Sequence, residues 1–135
     1  MEFENSPVVS QLHNLIEKAE SCSIEDHRGI REIWFRGDNG ETELRLLSLM
    51  GRRITLSRVC FVNRRQGTMT KVKELLEAYC IENHVPKLVI QSVETKEMSA
   101  WCFKNGFQPD PYTTFDFNGF IAGDFIKTFT GGGNP

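Results

Sequence analysis

The sequence predicts an α+β fold in which a mixed antiparallel/parallel sheet is flanked by helices. Three observations predict it. Gly37-Asp-Asn-Gly40 separates two runs with bulky apolar residues, a hairpin signal because Asn-Gly accepts positive φ. A second tight turn, Gly51-Arg52, follows, so three strands form an antiparallel meander. An amphipathic stretch over 70–83 then lies between two β-branched runs, the spacing of a parallel βαβ crossover.

Taken in order, Val8 to Ala19 reads as a helix. Val9, Leu12, Ile16 and Ala19 recur at helical spacing behind a Ser6-Pro7 start. Ser21 to Gly29 reads as a polar loop. Ile30 to Arg36 is a strand, with Ile30, Trp34 and Phe35 supplying bulk. Glu41 to Met50 pairs with it and turns Leu44, Leu46 and Leu49 inward. Arg53 to Val62 alternates and is the third strand. A basic turn leads to a helix from about Thr70 to Asn83, with Val72, Leu75, Leu76, Tyr79 and Cys80 on one face. Lys87 to Val93 is a short buried strand parallel to Arg53–Val62. Lys96 to Asn105 is another helix, with Gly106 suited to its left-handed cap. Tyr112 to Phe117 and Asp124 to Phe129 are the last strands, around Asn118-Gly119.

The 135 residues suffice for one domain, taken as 1–129, with 130–135 a glycine-rich flexible tail. Charged residues at 25% and apolar residues at 39% are those of a soluble globular protein. The net charge of −2 gives no general pull toward nucleic acid or membrane. No apolar run approaches the roughly 18 residues that span a bilayer. The acidic start, Met-Glu-Phe-Glu-Asn, does not read as a secretory signal. Cys22, Cys60, Cys80 and Cys102 are scattered with no CxxC spacing, which argues against a zinc site and for reduced thiols in a cytoplasmic protein.

The most informative segment is Val59-Cys-Phe-Val-Asn-Arg-Arg-Gln-Gly-Thr-Met-Thr70. A strand end, a basic turn with one glycine and a helix start aim backbone N–H groups and a positive helix end at one spot, where a pyrophosphate can sit. About forty residues on comes Ala100-Trp-Cys-Phe-Lys-Asn-Gly-Phe107. In this order and spacing the two segments resemble the acyl-CoA-binding half of the GNAT family of N-acetyltransferases. The family signature Gln/Arg-x-x-Gly-x-Gly/Ala is met at Arg64 and Gly67 and missed at Met69. The later Lys-x-Gly-Phe ending is met at Lys104, Gly106 and Phe107.

The resemblance covers roughly Ile30 to Phe129 and implies the acyl-CoA N-acyltransferase fold with a shortened N-terminal part. That part usually holds an extra strand and a second helix. It also implies acetyl-CoA as cosubstrate, an amine as acceptor and no metal. Residues Val59, Cys60, Phe61, Arg64, Arg65, Gln66, Gly67, Thr68, Met69, Thr70 and Thr95 would bind the cofactor, with Gly67 letting backbone approach phosphate. Met69 either narrows the site or packs into the helix.

Cys102 stands where many family members have a tyrosine that protonates the leaving thiolate. A cysteine has a suitable pKa for this, and it can equally be a buried packing residue. A general base has to take a proton from the amine. Glu43, on the neighbouring strand, and Glu94, after Lys87–Val93, are the carboxyl candidates, against the plainer reading of solvated surface acids. The alternative function is a GNAT-fold protein that binds CoA or a protein partner without catalysis. Nucleic-acid binding through Arg52, Arg53, Arg58, Arg64 and Arg65 is a third reading, and CoA's 3′-phosphate accounts for some of these arginines as well. No membrane partner is expected, and an oligomer is compatible with the sequence.

Overall fold

A computed structural model describes residues 2–63 and 67–129. A short 3-10 turn, Phe3–Asn5, leads into α1 (Pro7–Glu20), then β1 (Ile24–Gly29), β2 (Glu32–Gly37), β3 (Glu43–Leu49) and β4 (Arg53–Cys60). Then come α2 (Thr68–Glu82), β5 (Lys87–Val93), α3 (Lys96–Lys104), β6 (Gln108–Pro109), β7 (Phe115–Phe117) and β8 (Phe120–Thr128). The sheet runs β1-β2-β3-β4-β5-β8-β6, with β7 paired to β8. It is a mixed α+β sheet, antiparallel through β4 and parallel only between β4 and β5. Among the described residues one α-helix, α1, precedes the sheet.

Register carries the core along one face. Phe35 lies opposite Leu44, Leu46 opposite Leu56, Leu56 beside Ile90, and Ile90 opposite Phe125, and all are buried. All three α-helices cover that face. Val9, Leu12 and Ile16 of α1 and Val72, Leu76 and Cys80 of α2 are fully buried, and Phe3 meets Tyr79 edge-on at 5.0 Å. Lys127 of β8 ties both other helices together, donating to Glu77 of α2 and to the Asn105 carbonyl (3.0 Å) just after α3. The opposite face carries no helix among the described residues. It is laced with charges instead: Trp34 sits between the guanidinium groups of Arg36 (4.0 Å) and Arg45 (5.1 Å).

The structure corrects the sequence reading at several points. The polar loop 21–29 holds a strand, β1, and the meander has four strands. In β1 only Ile24 is buried, so its sequence lacks the alternation of a half-buried strand. Ile30 is 86% exposed because it sits at the β1–β2 turn beside Arg31, whose φ is 64°. Leu49, at the end of β3, is 41% exposed rather than inward. Helix α2 starts at Thr68, two residues early, and β4 stops at Cys60. Residues 112–114 are not strand, and β8 begins at Phe120, because Asn118 (φ 50°) and Gly119 (φ 87°) turn the chain in two residues. The tail 130–135 lies outside the described residues.

Candidate active site

The site arises because β4 and β5 part company. Their parallel ladder holds for four pairs, from Arg53 with Lys87 to Leu56 with Ile90. Beyond Leu56, β4 continues to Cys60 paired only with β3. Strand β5 swings toward β8, with an irregularity between Ile90 and Val93. There Ser92 takes φ 57°, and its N–H donates to Asp124 Oδ1 (2.8 Å), which holds the bend. The result is a fork. Its mouth is a cleft of about 790 Å³, bounded by the end of β4 and the starts of α2 and α3.

Two helix starts meet there. Gly67 is the N-cap of α2 with φ 69° and offers no side chain to the first turn. The first-turn N–H groups of a helix have no intrahelical partners, and this end of the helix carries partial positive charge. Thr68, Met69 and Thr70 line the cleft, and their N–H groups have no backbone partner among the described residues. Thr68 Oγ1 is buried and has no hydrogen-bond partner among the described residues. Helix α3 is capped by Thr95, whose side chain accepts from the Met98 N–H at 3.1 Å. The Trp101 indole donates to Thr70 Oγ1 (3.2 Å) and fastens the first turn of α2 to the middle of α3.

Of the residues expected to hold the cofactor, Val59, Cys60 and Phe61 line one wall of this cleft. Gly67, Thr68, Met69 and Thr70 line its floor, and Thr95 faces them. Met69 lines the cleft and also packs against the core. Arg64, Arg65 and Gln66 lie outside the described residues. The candidates for proton transfer are not brought into the cleft. Cys102 is 0% exposed, and burial pushes its thiol up to about 12. It follows Trp101 on a helix with 3.6 residues per turn, so Trp101 meets the cleft while Cys102 turns into the core. Glu43 lies on the helix-free face. Its carboxyl accepts from Trp34 Nε1 (3.1 Å) and is ion-paired with Arg58 and Arg36. Glu94 is exposed beyond β5 and outside the cleft lining.

Two carboxyl groups that do line the cleft, Glu41 and Glu97, escape the sequence reading. Glu97 sits in the first turn of α3, where an acid is ordinary helix chemistry and signals nothing more. Glu41 belongs to the β2–β3 turn, distant in sequence from every motif. Of the clustered arginines, three are described. Arg52 and Arg53 stand at the start of β4, roughly 25 Å from the cleft end at about 3.3 Å per residue. Arg58 is engaged by Glu43. No group of three or more metal-ligating side chains occurs among the described residues, and none of their helices is long and apolar enough to cross a membrane. The four cysteines are free thiols.

Aminoglycoside 6′-acetyltransferase type Ii superposes with a TM-score of 0.52 at 15% identity, over 95% of each chain. An acetyltransferase from Streptococcus agalactiae superposes with a TM-score of 0.52 at 15% identity, over 96% of each. A GNAT-family chain from Chromobacterium violaceum gives 0.50 at 14% identity, over 72% of this chain and 57% of its own length. The chain has the GNAT fold. No family model and no curated protein sequence matches it. At these identities the likeness is one of fold.

Proposed function

We propose that this protein is an acetyl-CoA-dependent N-acetyltransferase that moves an acetyl group to an amine by direct attack. One observation carries the reading: the fork leaves the Ser57–Cys60 edge of β4 without a β5 partner, beside an N-terminus of α2 that no side chain caps among the described residues. The first feature suits a chain of amides, such as a pantetheine arm, which can continue the interrupted ladder. The second suits a pyrophosphate, held by N–H groups of Thr68, Met69 and Thr70 and by the Thr68 hydroxyl, which has no partner among the described residues.

When bound, acetyl-CoA supplies the acetyl thioester. The amine nitrogen bonds to its carbonyl carbon, the carbon–sulfur bond breaks, and one proton leaves nitrogen as sulfur takes one up. The chain's part is to hold the thioester against β4, where free backbone N–H groups polarise its carbonyl. Glu41 and Glu97 are the carboxyl groups within the cleft lining that can accept the amine's proton, directly or through water. A cytoplasmic location accords with this cosubstrate and with free thiols.

The test is a melting curve with and without acetyl-CoA, followed by a panel of amines and peptides with released thiol as the readout. A rise in melting temperature and acetylation of at least one amine are expected. No shift at millimolar acetyl-CoA would overturn the proposal. A second reading, CoA binding without catalysis, draws on the burial of Cys102 and the engagement of Glu43 by Arg58. Tight CoA binding with no acetylation across the panel would favour it.

A further inference from the structure

Glu20, the last residue of α1, is only 5% exposed. Its Oε1 accepts from Thr42 Oγ1 (2.7 Å) and from the Val62 N–H (2.6 Å), and its Oε2 accepts from the Asn63 N–H (2.8 Å). The Asn63 side chain returns the grip, donating Nδ2 to the Ala19 carbonyl at 2.9 Å. Burying a carboxyl group costs free energy, and a helix C-terminus is the wrong end for negative charge. Three donors offset that cost here. All of this is spent where the chain leaves β4, at two residues that line the cleft.

The arrangement has two consequences. The Val62 and Asn63 N–H groups are already satisfied, so they have nothing left for a ligand. Among the described residues between β4 and α2, the backbone donors left for an anion are those at the start of α2. The end of β4 is also tied to α1, a helix packed against α2. The distance from the end of β4 to the first turn of α2 is thereby set by a side chain far from both in sequence.

We propose that Glu20 is a positioning residue for the CoA site. It holds the end of β4 at the spacing from α2 that the pyrophosphate needs. This rests on the N-acetyltransferase reading and adds to it a residue that touches neither ligand nor reacting atoms.

Glu20→Gln keeps the size of the side chain but turns one acceptor into a donor facing an N–H. The variant and the parent are titrated with CoA and with pantetheine, which lacks the pyrophosphate. Amide hydrogen exchange at Val62 and Asn63 is followed in the ligand-free proteins. The expected result is a CoA dissociation constant raised about tenfold, or about 1.4 kcal/mol. Pantetheine binding should change by less than about twofold, and the two amides should exchange faster. Equal losses for CoA and pantetheine would show a merely structural role and overturn the inference. So would unchanged CoA binding or unchanged exchange. If Glu20→Gln does not fold, Thr42→Val removes one donor to the carboxyl and should give a smaller loss in the same direction. A parent that binds no CoA overturns the acetyltransferase reading and this inference with it. A parent that binds while both variants bind equally well overturns the inference alone.

Discussion

Gly67 is the residue at which fold and ligand can be separated by one substitution. It caps α2 with φ 69° and ψ 18°, and a Cβ built on it meets nothing within 4 Å. The first atom of a side chain there meets open space at a residue that lines the cleft. The cost to folding is therefore conformational. A residue with a Cβ loses about 1–2 kcal/mol in the left-handed region, offset by about 0.4–1 kcal/mol from a stiffer unfolded chain. For Gly67→Ala the net is about 1 kcal/mol, or about 3–5 °C in melting temperature at this chain length. Gly67→Val costs more, being β-branched. Gly67→Asn costs less, because asparagine tolerates this region. Against this, acetyl-CoA at a hundredfold excess over its dissociation constant stabilises the parent by about 2.7 kcal/mol, roughly 10 °C on the same scale. Differential scanning fluorimetry with and without acetyl-CoA reads both effects. Gly67→Val should melt lower and lose the ligand shift. Gly67→Asn should melt near the parent and also lose it, which separates steric blocking from strain. A full ligand shift in either variant would refute the placement of the pyrophosphate at α2.

Cys102→Ala should lower stability by about 1 kcal/mol through a small cavity, with almost no change in rate; a hundredfold loss of turnover in a folded variant would contradict the packing role. Cys102→Tyr should be worse, by about 1–3 kcal/mol, because it overfills a closed site, and urea unfolding measures it. Glu41→Gln and Glu97→Gln should together slow acetylation of a good amine acceptor by about a hundredfold at neutral pH while leaving acetyl-CoA binding intact. Asp26 tests the α1–β1 contact. Burial pushes its carboxyl up, but hydrogen bonds from His13 (2.7 Å) and Arg28 (3.1 Å) outweigh this and hold it below the usual range. Its contribution is thus present above the unfolded value of about 3.9 and is lost as pH falls through the lower folded value. Unfolding midpoints measured across acid pH should fall less steeply for Asp26→Asn than for the parent.

What the sequence makes legible follows from what local pattern can encode. Strands β2 to β5 and helix α2 show themselves because each buries a regular set of side chains or ends in a turn of distinctive chemistry, such as Asn39-Gly40. Strand β1 is hidden because Glu25-Asp-His-Arg-Gly29 owes its conformation to pairing with β2 rather than to any buried face. Ile30 misleads because hydrophobicity alone does not reveal a turn tip. Within the cleft, Val59 to Phe61 and Gly67 to Thr70 are contiguous with a readable motif. Glu41 and Glu97 reach it only through tertiary folding. Glu20 is the extreme case. Its partners Val62 and Asn63 are 42 and 43 residues away, and no periodicity spans that distance.

The four-pair ladder between β4 and β5 also makes the sheet two ribbons sewn by a short seam. Strands β1 to β4 form one ribbon from successive hairpins, and β5 with β6, β7 and β8 forms the other. Local hairpins assemble early, whereas the seam closes across the whole of α2 and pays the larger loop entropy. The amides of the seam are accordingly the weak stitch of the ligand-free molecule. The cleft joins the end of β4 to the starts of α2 and α3, the helices on either side of β5, so a cofactor laid there would brace the first ribbon against them, and slowed exchange at Thr55, Leu56, Val89 and Ile90 is the expected readout.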